Sequence, residues 1–308
     1  MASLYPPGKR DFSPLHEIAR LIGGPRKLGQ KHIQAMVRVW QAAHLVPATI
    51  QTYFSFLRGF SGWIGKPGMV RDPAHYGMQL DEYRRSEAAQ RDRSWSAQSV
   101  DIDAVITRIC DHNRYVGASL RLIRAFGLRR KEALMLRPHR EVVEFEATGL
   151  PLEQPEAQLC LRIGAGAKGG RERFIPLDTP ERMAALAHAQ QIAGDQDAHM
   201  GNPARDLKYN LHRFSHVLEQ FGITSRALGV TAHGLRHEAL IDHYRQIAGK
   251  DPPVRGGGAS GEFDRPAREA VARLAGHSRT RVADAYLGRS ARPATLAQEP
   301  RSSPPAIS

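Results

Sequence analysis

The chain has 308 residues, of which 41% are hydrophobic, and a formal net charge of +13. This length exceeds that of one ordinary compact unit and predicts two domains, and the hydrophobic content excludes a disordered protein. No apolar run reaches the roughly eighteen residues that a membrane-spanning helix needs, so we expect no membrane protein.

The basic excess lies in every part of the chain rather than in one tail. A polyanion held along its length favours such a distribution, because each neutralised phosphate releases counterions. A soluble basic protein without such a partner has the same balance, so the charge alone leaves both interpretations open. The first residues, MASLYPPGKRDF, lack the apolar stretch of a secretory signal, which predicts a cytoplasmic protein whose Cys110 and Cys160 are buried and reduced.

The first part of the chain has the spacing of amphipathic helices. Residues 1–14 contain three prolines and predict an irregular lead-in. Apolar residues then recur every three or four positions from Lys27 to His44, and again in ATIQTYFSFLRGFSGWI after Pro47. We therefore predict an all-helical domain over residues 15–83 with its aromatic side chains mostly in the core. The polar face of its second helix carries Thr49, Gln51, Thr52 and Arg58.

The segment YRRSEAAQRDRSW is charged and nearly devoid of aliphatic residues. It predicts a linker over residues 84–95, or else the end of a long solvated helix. A second domain then spans residues 96–290. Helical spacing opens it and stops at Pro138, after which EVVEF, LCLRI and RERFIPL have the pattern of short β-strands, the last two joined by the hairpin GAGAKGG.

Helical spacing returns after the strands, beginning at Pro180, and continues to Leu287. The expected fold class is therefore mainly α with a small antiparallel sheet (α+β). Residues 249–265 are rich in glycine and proline and predict a long mobile loop before a helix that begins at Pro266. The tail over residues 291–308 has the composition of a segment that is disordered when the protein is alone.

Four short motifs hold side chains that can act together on one object. They are FGLRRKEALML, GAKGGRERFIPL, TAHGLRHEAL and LAGHSRTRVADAYLG. The side chains concerned are Arg129 and Glu132, Lys168, His233 and Arg236, and His277 and Tyr286.

Each of these residues also has a plainer interpretation. Arg129 can pair with Glu132 at the surface, an ion pair worth about 0–1 kcal/mol. Lys168 can be an ordinary solvated lysine of a hairpin. His233 can be a satisfied polar group at a helix start, and the spacing of Tyr286 also suits a residue that faces a core. These plain interpretations explain each residue taken singly better than they explain the occurrence of all of them together.

The order of these motifs resembles the tyrosine recombinase (phage integrase) family. GLRRKEAL looks like the family's Gly-Leu-Arg-x-x-Glu box, and KGGRERFIPL looks like its hairpin lysine followed by Arg-x-hydrophobic-Pro-Leu. HGLRH and LAGHS, with a tyrosine nine residues after the histidine of the latter, look like its two C-terminal boxes. The resemblance covers residues 96–290 well and the helical N-terminal part more loosely.

The resemblance implies a helical core-binding domain and a catalytic domain that close on double-stranded DNA as a clamp. The catalytic set, carried over by position, comprises the nucleophile Tyr286, the phosphate-holding Arg129 and Arg236, the general acid Lys168, and the proton-transfer and hydrogen-bonding groups His233 and His277. By the same resemblance, Glu132 would lie behind these residues rather than contact the phosphate. The other DNA contacts that we expect are Thr49, Gln51, Thr52, Arg58, Arg171 and Arg173.

The chemistry requires these residue types. A phosphodiester under attack gains negative charge on its non-bridging oxygens, to which guanidiniums donate paired, planar hydrogen bonds. A tyrosine hydroxyl has an unperturbed pKa of about 10, so neighbouring cations and an acceptor histidine must favour its deprotonation. The leaving 5′ oxygen needs a proton, which Lys168 can deliver. Because the phosphotyrosyl bond stores the energy of the broken bond, we expect no cofactor and no metal ion.

The expected activity is site-specific recombination through a 3′-phosphotyrosyl intermediate, to integrate or excise a mobile element. We expect a homotetramer on paired DNA sites, associated with the nucleoid and open to accessory DNA-bending proteins. Two alternatives remain: a type IB topoisomerase-like enzyme that relaxes DNA, and a DNA-binding regulator that keeps the fold without catalysis. One departure from the family is the long stretch from Arg236 to His277, whose surplus coincides with residues 249–265, interpreted here as a surface insertion.

Overall fold

A computed structural model of the chain describes residues 24–151 and 157–289. The predicted lead-in (1–14) and tail (291–308) lie outside the described residues, as does the start of the predicted helical domain (15–23). The chain divides into two compact units, with the boundary between Ser86 and Glu87. Within the described ranges, no helix is both long enough and apolar enough to cross a membrane.

The first unit is helical. It contains α1 (Gln30–Ala42), α2 (Pro47–Trp63) and α3 (Leu80–Tyr83), with 3₁₀ turns at Pro25–Lys27 and Pro73–Tyr76. Proline at the first position of α2 suits a helix start, because its missing N–H would have no partner there. The apolar faces of α1 and α2 share one core, in which the rings of Trp40 and Phe54 meet edge to face with centroids 5.5 Å apart.

Two aromatic residues of α2 are exceptions to the expectation that the aromatics lie mostly in the core. Phe56 is 68% exposed and Trp63 is 87% exposed. They are two helical turns apart on one face, whereas the buried Ile50 and Phe54 lie on another. The helical period therefore separates the two sets, although both are apolar.

The second unit is mainly α-helical with one three-stranded antiparallel sheet, and the predicted fold class is confirmed. Its elements, in chain order, are α4 (Ile102–His112), α5 (Arg114–Phe126), α6 (Arg130–Met135), β1 (Val142–Glu144), β2 (Leu159–Ile163), β3 (Arg173–Pro176), α7 (Pro180–Ala193), α8 (Leu207–Gln220), α9 (Ala232–Ala248), α10 (Gly261–Leu274) and α11 (Asp284–Leu287).

Helix α5 is central in this unit. It packs against α4, α6, α7 and α9, and its Leu120, Leu122, Ile123 and Phe126 are all fully buried. A helix that is apolar around most of its circumference belongs in the interior. It ends at Gly127, whose positive φ of 60° is a conformation that glycine adopts without strain. This turn directs the chain to Arg129.

The sheet has the order β1-β2-β3, and Leu161 of β2 pairs with Val142 on one side and Ile175 on the other. The hairpin between β2 and β3 lies against α6. At Gly166, where φ is +77°, an added Cβ would lie 2.9 Å from the carbonyl oxygen of Lys131. The close approach that glycine permits therefore brings the hairpin beside the first turn of α6.

Two helix starts differ from the predictions. Helix α10 begins at Gly261 rather than Pro266, with Glu262 and Asp264 in its first turn, where acidic residues favour a helix. The predicted loop before it contains a 3₁₀ turn, Pro253–Arg255. After the Gly-His turn, the predicted continuous helix is a 3₁₀ turn, Thr280–Ala283, followed by the short α11.

Candidate active site

The two arginines of the motif set converge on one main-chain oxygen. Nη2 of Arg129 donates to the carbonyl oxygen of Ala275 at 3.1 Å, and Nη2 of Arg236 donates to the same oxygen at 2.8 Å. Arg129 directly precedes α6, Arg236 lies in α9, and Ala275 follows α10. Three elements that are distant in the sequence thus bring two planar cations together, an arrangement suited to a phosphate.

Arg236 is fully buried, and each nitrogen of its guanidinium has a partner. Besides the bond to Ala275, Nη1 donates to the carbonyl oxygen of Gly127. Nε donates to the Tyr286 hydroxyl at 3.3 Å. Arg236 is 0% exposed, so these bonds replace those that water would give. The Gly127 turn after α5 and the Gly-His turn after α10 therefore fix where this side chain lies.

Glu132 lies behind the arginines and holds them in place. Its carboxylate accepts hydrogen bonds from Arg129 Nη1 at 2.6 Å and from Arg173 Nη1 and Nη2 at 3.1 and 2.8 Å. Burial raises the pKa of Glu132, but the hydrogen bonds and charge of Arg173, with those of Arg129, outweigh it and lower the pKa to about 2. Glu132 is therefore an anion at neutral pH.

The two motif histidines are neutral at pH 7. Desolvation, followed by the charges of Arg129 and Arg236, lowers the pKa of His277 to about 4. Desolvation, followed by the charge of Arg236, also lowers the pKa of His233 to about 4. Nη2 of Arg129 lies 3.3 Å from Nε2 of His277. Because a guanidinium can only donate, this contact places the imidazole proton on Nδ1.

Tyr286 joins this group from α11. It is 6% exposed, and the hydrogen bond from Arg236 to its hydroxyl keeps the phenol oxygen beside that guanidinium. The guanidinium carbon of Arg236 lies 5.6 Å from the centroid of the Tyr286 ring, and the His233 ring lies 6.1 Å from it. The phenol of Tyr286, the guanidinium of Arg236 and the imidazole of His233 thus lie close together.

Lys168 lies apart from this hydrogen-bonded group, whereas His233 meets it through ring contacts with Tyr286 and His237. It is exposed in the 3₁₀ turn Lys168–Gly170 at the tip of the hairpin, and no hydrogen bond or ion pair joins its ammonium to another described residue. Its charge does act on the site, since it contributes to lowering the pKa of His277. The hairpin therefore carries a free cation within electrostatic range of the imidazole.

The DNA contacts expected outside this group divide into three cases. Thr49, Gln51, Thr52 and Arg58 all lie in α2 of the first unit, where Arg58 pairs with Asp72 at 3.4 Å. Arg171 is exposed and donates to Ser278 Oγ at 3.3 Å. Arg173, also expected to contact DNA, is buried at 8% exposed, and both of its terminal nitrogens donate to Glu132.

The sequence model of the integrase family matches residues 86–242, which is more than half of the chain. The chain belongs to the integrase family. The tyrosine recombinase family that the motifs indicated is thereby confirmed. No curated protein sequence matches this integrase.

Solved structures share the fold of this integrase. A lambda integrase fragment, solved as a dimer bound to a core site, is 14% identical, with 94% of each chain covered and a TM-score of 0.52. XerH site-specific recombinase, solved in a pre-cleavage complex with its difH substrate, is 16% identical over 90% of this chain and 73% of its own, with a TM-score of 0.52. The Tn1549 transposon integrase, solved with a circular intermediate DNA, is 12% identical over 92% of each chain, with a TM-score of 0.52.

Two buried residues of this integrase contact the group in a way that the sequence analysis did not assign: Arg173 was expected to contact DNA, and His237 was not among the site residues. Arg173 shares the inward face of β3 with Ile175, so the two-residue period of a strand already indicated that it points inward. His237 is 2% exposed, and its ring centroid lies 4.8 Å from that of Tyr286. It follows His233 by one helical turn, and this spacing was the available signal.

Proposed function

We propose that this integrase is a site-specific recombinase that cleaves and rejoins DNA strands through a 3′-phosphotyrosyl intermediate, and that it integrates or excises a mobile element. The observation that carries the proposal is the group formed by Arg129, Arg236, His277 and Tyr286 around the Ala275 carbonyl. A phosphate oxygen is an acceptor of the same kind. When DNA is bound, the two guanidiniums can therefore donate to a phosphate in place of that carbonyl.

In the cleavage step, the Tyr286 oxygen attacks the scissile phosphorus and the bond to the 5′ oxygen breaks. The phenol proton passes to a neutral imidazole, His233 or His277, and the leaving 5′ oxygen takes a proton from Lys168. Arg129 and Arg236 donate to the non-bridging oxygens as their charge grows. Attack by a 5′ hydroxyl on the phosphotyrosine reverses each of these transfers and rejoins the strand.

Two contacts support Tyr286 as the nucleophile. The Arg236 guanidinium donates a hydrogen bond to the hydroxyl oxygen, which is the atom that attacks the phosphorus in this proposal. The neutral imidazoles around it can accept the proton, since the pKa values of His233 and His277 are lowered to about 4. A tyrosine that only filled the core would need neither feature.

The partner that follows from this chemistry is double-stranded DNA, bound by a homotetramer on paired sites. One known relative of the same fold, lambda integrase, has been solved as a tetramer on a Holliday junction. Strand exchange needs two duplexes and therefore several active sites, whereas relaxation of one duplex needs a single site. Accessory DNA-bending proteins belong to the same proposal.

Covalent capture tests the proposal. The full chain is mixed with nicked duplexes of random sequence, so that no target has to be known, and the mixture is denatured. We expect a DNA band covalently attached to the wild-type protein and none with Tyr286→Phe, which keeps the ring but removes the attacking oxygen. Sequencing the captured DNA then gives the target site.

Three results would contradict the proposal in different ways. Equal capture by Tyr286→Phe would remove Tyr286 from the reaction. DNA binding by both proteins without capture by either would indicate a regulator with this fold. Capture accompanied by relaxation of a supercoiled plasmid, with no recombinant products from two captured sites, would indicate a topoisomerase.

A further inference from the structure

The stretch that lengthens the chain between Arg236 and His277 carries a side chain that ties distant parts of the second unit together. Arg255 lies in the 3₁₀ turn Pro253–Arg255, and its side chain is 17% exposed. Its Nε donates to Asp92 at 2.7 Å, and its Nη2 lies within hydrogen-bond distance of Ser94, Ser96 and Glu238. The guanidinium thus joins the initial segment of the unit, residues 87–96, to α9.

Glu238 is the acceptor on α9 and depends on this contact. It is 3% exposed, and it also accepts hydrogen bonds from the backbone N–H and the hydroxyl of Ser96 at 2.8 and 2.7 Å. Arg255 is the cation paired with it, at 3.1 Å. Glu238 lies two residues after Arg236, so the contact is made on the helix that carries two of the proposed catalytic side chains. Without Arg255, a buried carboxylate would lack its counter-ion.

The initial segment also lies against the beginning of α9. The Trp95 indole N–H donates to the carbonyl oxygen of Thr231 at 2.7 Å, and Trp95 is 0% exposed. At Gly234, an added Cβ would lie only 2.3 Å from the carbonyl oxygen of Arg93. The segment therefore runs directly over the first turn of α9, which carries His233.

The other end of the initial segment holds the tyrosine helix. The backbone N–H of Ala89 donates to the carbonyl oxygen of Asp284, the first residue of α11, at 2.8 Å. Glu87 pairs with Arg281 at 3.1 Å, just before that helix. At Gly288, just after it, an added Cβ would lie 3.1 Å from Val254 N and 3.2 Å from the carbonyl oxygen of Ala89. Both the initial segment and the turn that carries Arg255 thus contact α11.

We propose that Arg255 is a positioning residue for the nucleophile: by fixing the initial segment against α9, it holds α11, and with it Tyr286, beside Arg236. This inference rests on the proposed function, in which Tyr286 is the nucleophile. Arg255 itself touches neither Tyr286 nor the arginines of the site. It acts on the position of Tyr286 indirectly. The guanidinium fixes residues 92–96, and the same segment contacts α11 through the hydrogen bond from Ala89 to Asp284.

The test compares Arg255→Ala and Arg255→Lys with the wild type. Arg265→Ala is the matched control, because that side chain is 82% exposed and pairs only with Glu269, one turn away on its own helix. Amide hydrogen exchange is followed by mass spectrometry in three regions: residues 87–96, α11 and the central α5. Affinity for the random-sequence nicked duplexes and the rate of covalent capture are measured on the same proteins.

We expect Arg255→Ala to speed exchange in residues 87–96 and α11, to leave α5 unchanged, and to slow capture by about 10- to 100-fold at unchanged DNA affinity. A nucleophile displaced by about an ångström accounts for a loss of that size. Arg255→Lys should show the same changes to a smaller extent, since lysine keeps the positive charge but lacks the planar set of N–H donors of a guanidinium. Arg265→Ala should match the wild type.

The inference is overturned if exchange in α11 is unchanged in Arg255→Ala, or if exchange rises equally in α5, which would mean a loss of overall stability only. Should Arg255→Ala fail to fold, Arg255→Lys decides the matter. Wild-type exchange in α11 together with a wild-type capture rate in that variant would overturn the inference. Failure of the proposed function has a different signature: capture by the wild type would not depend on Tyr286, whereas the exchange comparison would be unaffected.

Discussion

Glu132 and Arg173 form a buried pair, with hydrogen bonds of 3.1 and 2.8 Å between the carboxylate and the two terminal nitrogens of the guanidinium. The pair connects β3 to the first turn of α6 and so fixes the carboxylate that Arg129 also binds. Arg171, two residues earlier and just before β3, is exposed. The two neighbouring arginines therefore have different environments, one buried against Glu132 and one at the surface.

Replacing Arg173 by alanine should destabilise the protein strongly. The change leaves the buried Glu132 carboxylate without its main partner, and breaking a buried pair in this way costs about 3–5 kcal/mol. Urea unfolding gives the free energy directly. Arg171→Ala is the matched control: it should leave the free energy of unfolding within about 0.5 kcal/mol and weaken DNA binding instead. Equal stability of the two variants would contradict the assignment.

Replacing Arg129 by alanine should slow covalent capture without a comparable loss of DNA affinity. Its guanidinium acts on the charge that develops in the transition state, and loss of one such donor costs about 100- to 1,000-fold in rate. The measurements are the capture rate at saturating DNA and the dissociation constant by gel shift. A parallel fall of affinity and rate would mean that Arg129 contributes only ground-state binding.

Stability should fall as the pH is lowered from about 6.5 towards 4. Burial, followed by the charge of His233, lowers the pKa of His237 to about 3, so the folded protein keeps this imidazole neutral while the unfolded chain protonates it. The unfolded state then binds more protons, and the free energy of unfolding decreases as the pH falls. His237→Gln should lose about 1.4 kcal/mol less per pH unit than the wild type between pH 4.5 and 5.5.

Urea titrations at those two pH values check this prediction. Glu132 does not interfere, since its pKa of about 2 places its own loss of stability below this range. The same slope in the wild type and in His237→Gln would contradict a neutral, buried His237.

Two glycines in the first turns of helices should respond oppositely to alanine. At Gly234 in α9, an added Cβ would lie 2.3 Å from the carbonyl oxygen of Arg93, whereas at Gly261 in α10 no atom of the described residues would lie within 4 Å of it. Gly234→Ala should therefore destabilise by about 1–3 kcal/mol through overpacking, and Gly261→Ala should be neutral or slightly stabilising. Thermal unfolding of both variants measures the difference. Similar midpoints would show that the segment over α9 moves freely.

The parts of the fold that were predictable are those governed by local spacing. The alternation in LCLRI and RERFIPL indicated β2 and β3. The same alternation indicated the inward direction of Arg173 but was not applied to it. The two-residue period of a strand is therefore sufficient to predict that Arg173 is buried.

What could not be predicted depends on contacts between distant residues. Glycine and proline in residues 249–260 indicate turns, but they do not reveal that Arg255 binds Asp92 and Glu238. The two interpretations of Tyr286, core residue or site residue, were also undecidable from spacing. It is 6% exposed and its hydroxyl accepts a hydrogen bond from Arg236, so its ring packs in the core while its oxygen faces the Arg236 guanidinium.

The oxygen of Ala275 that receives both guanidiniums belongs to the backbone. Serine or glycine at that position would offer the same acceptor, so side-chain mutations there cannot easily separate the two cations. The vulnerable point is the next residue, Gly276, where φ is +72° and an added Cβ would lie 3.1 Å from Arg173. A library that diversifies the surface around the site should therefore keep Gly276 constant along with the site residues themselves.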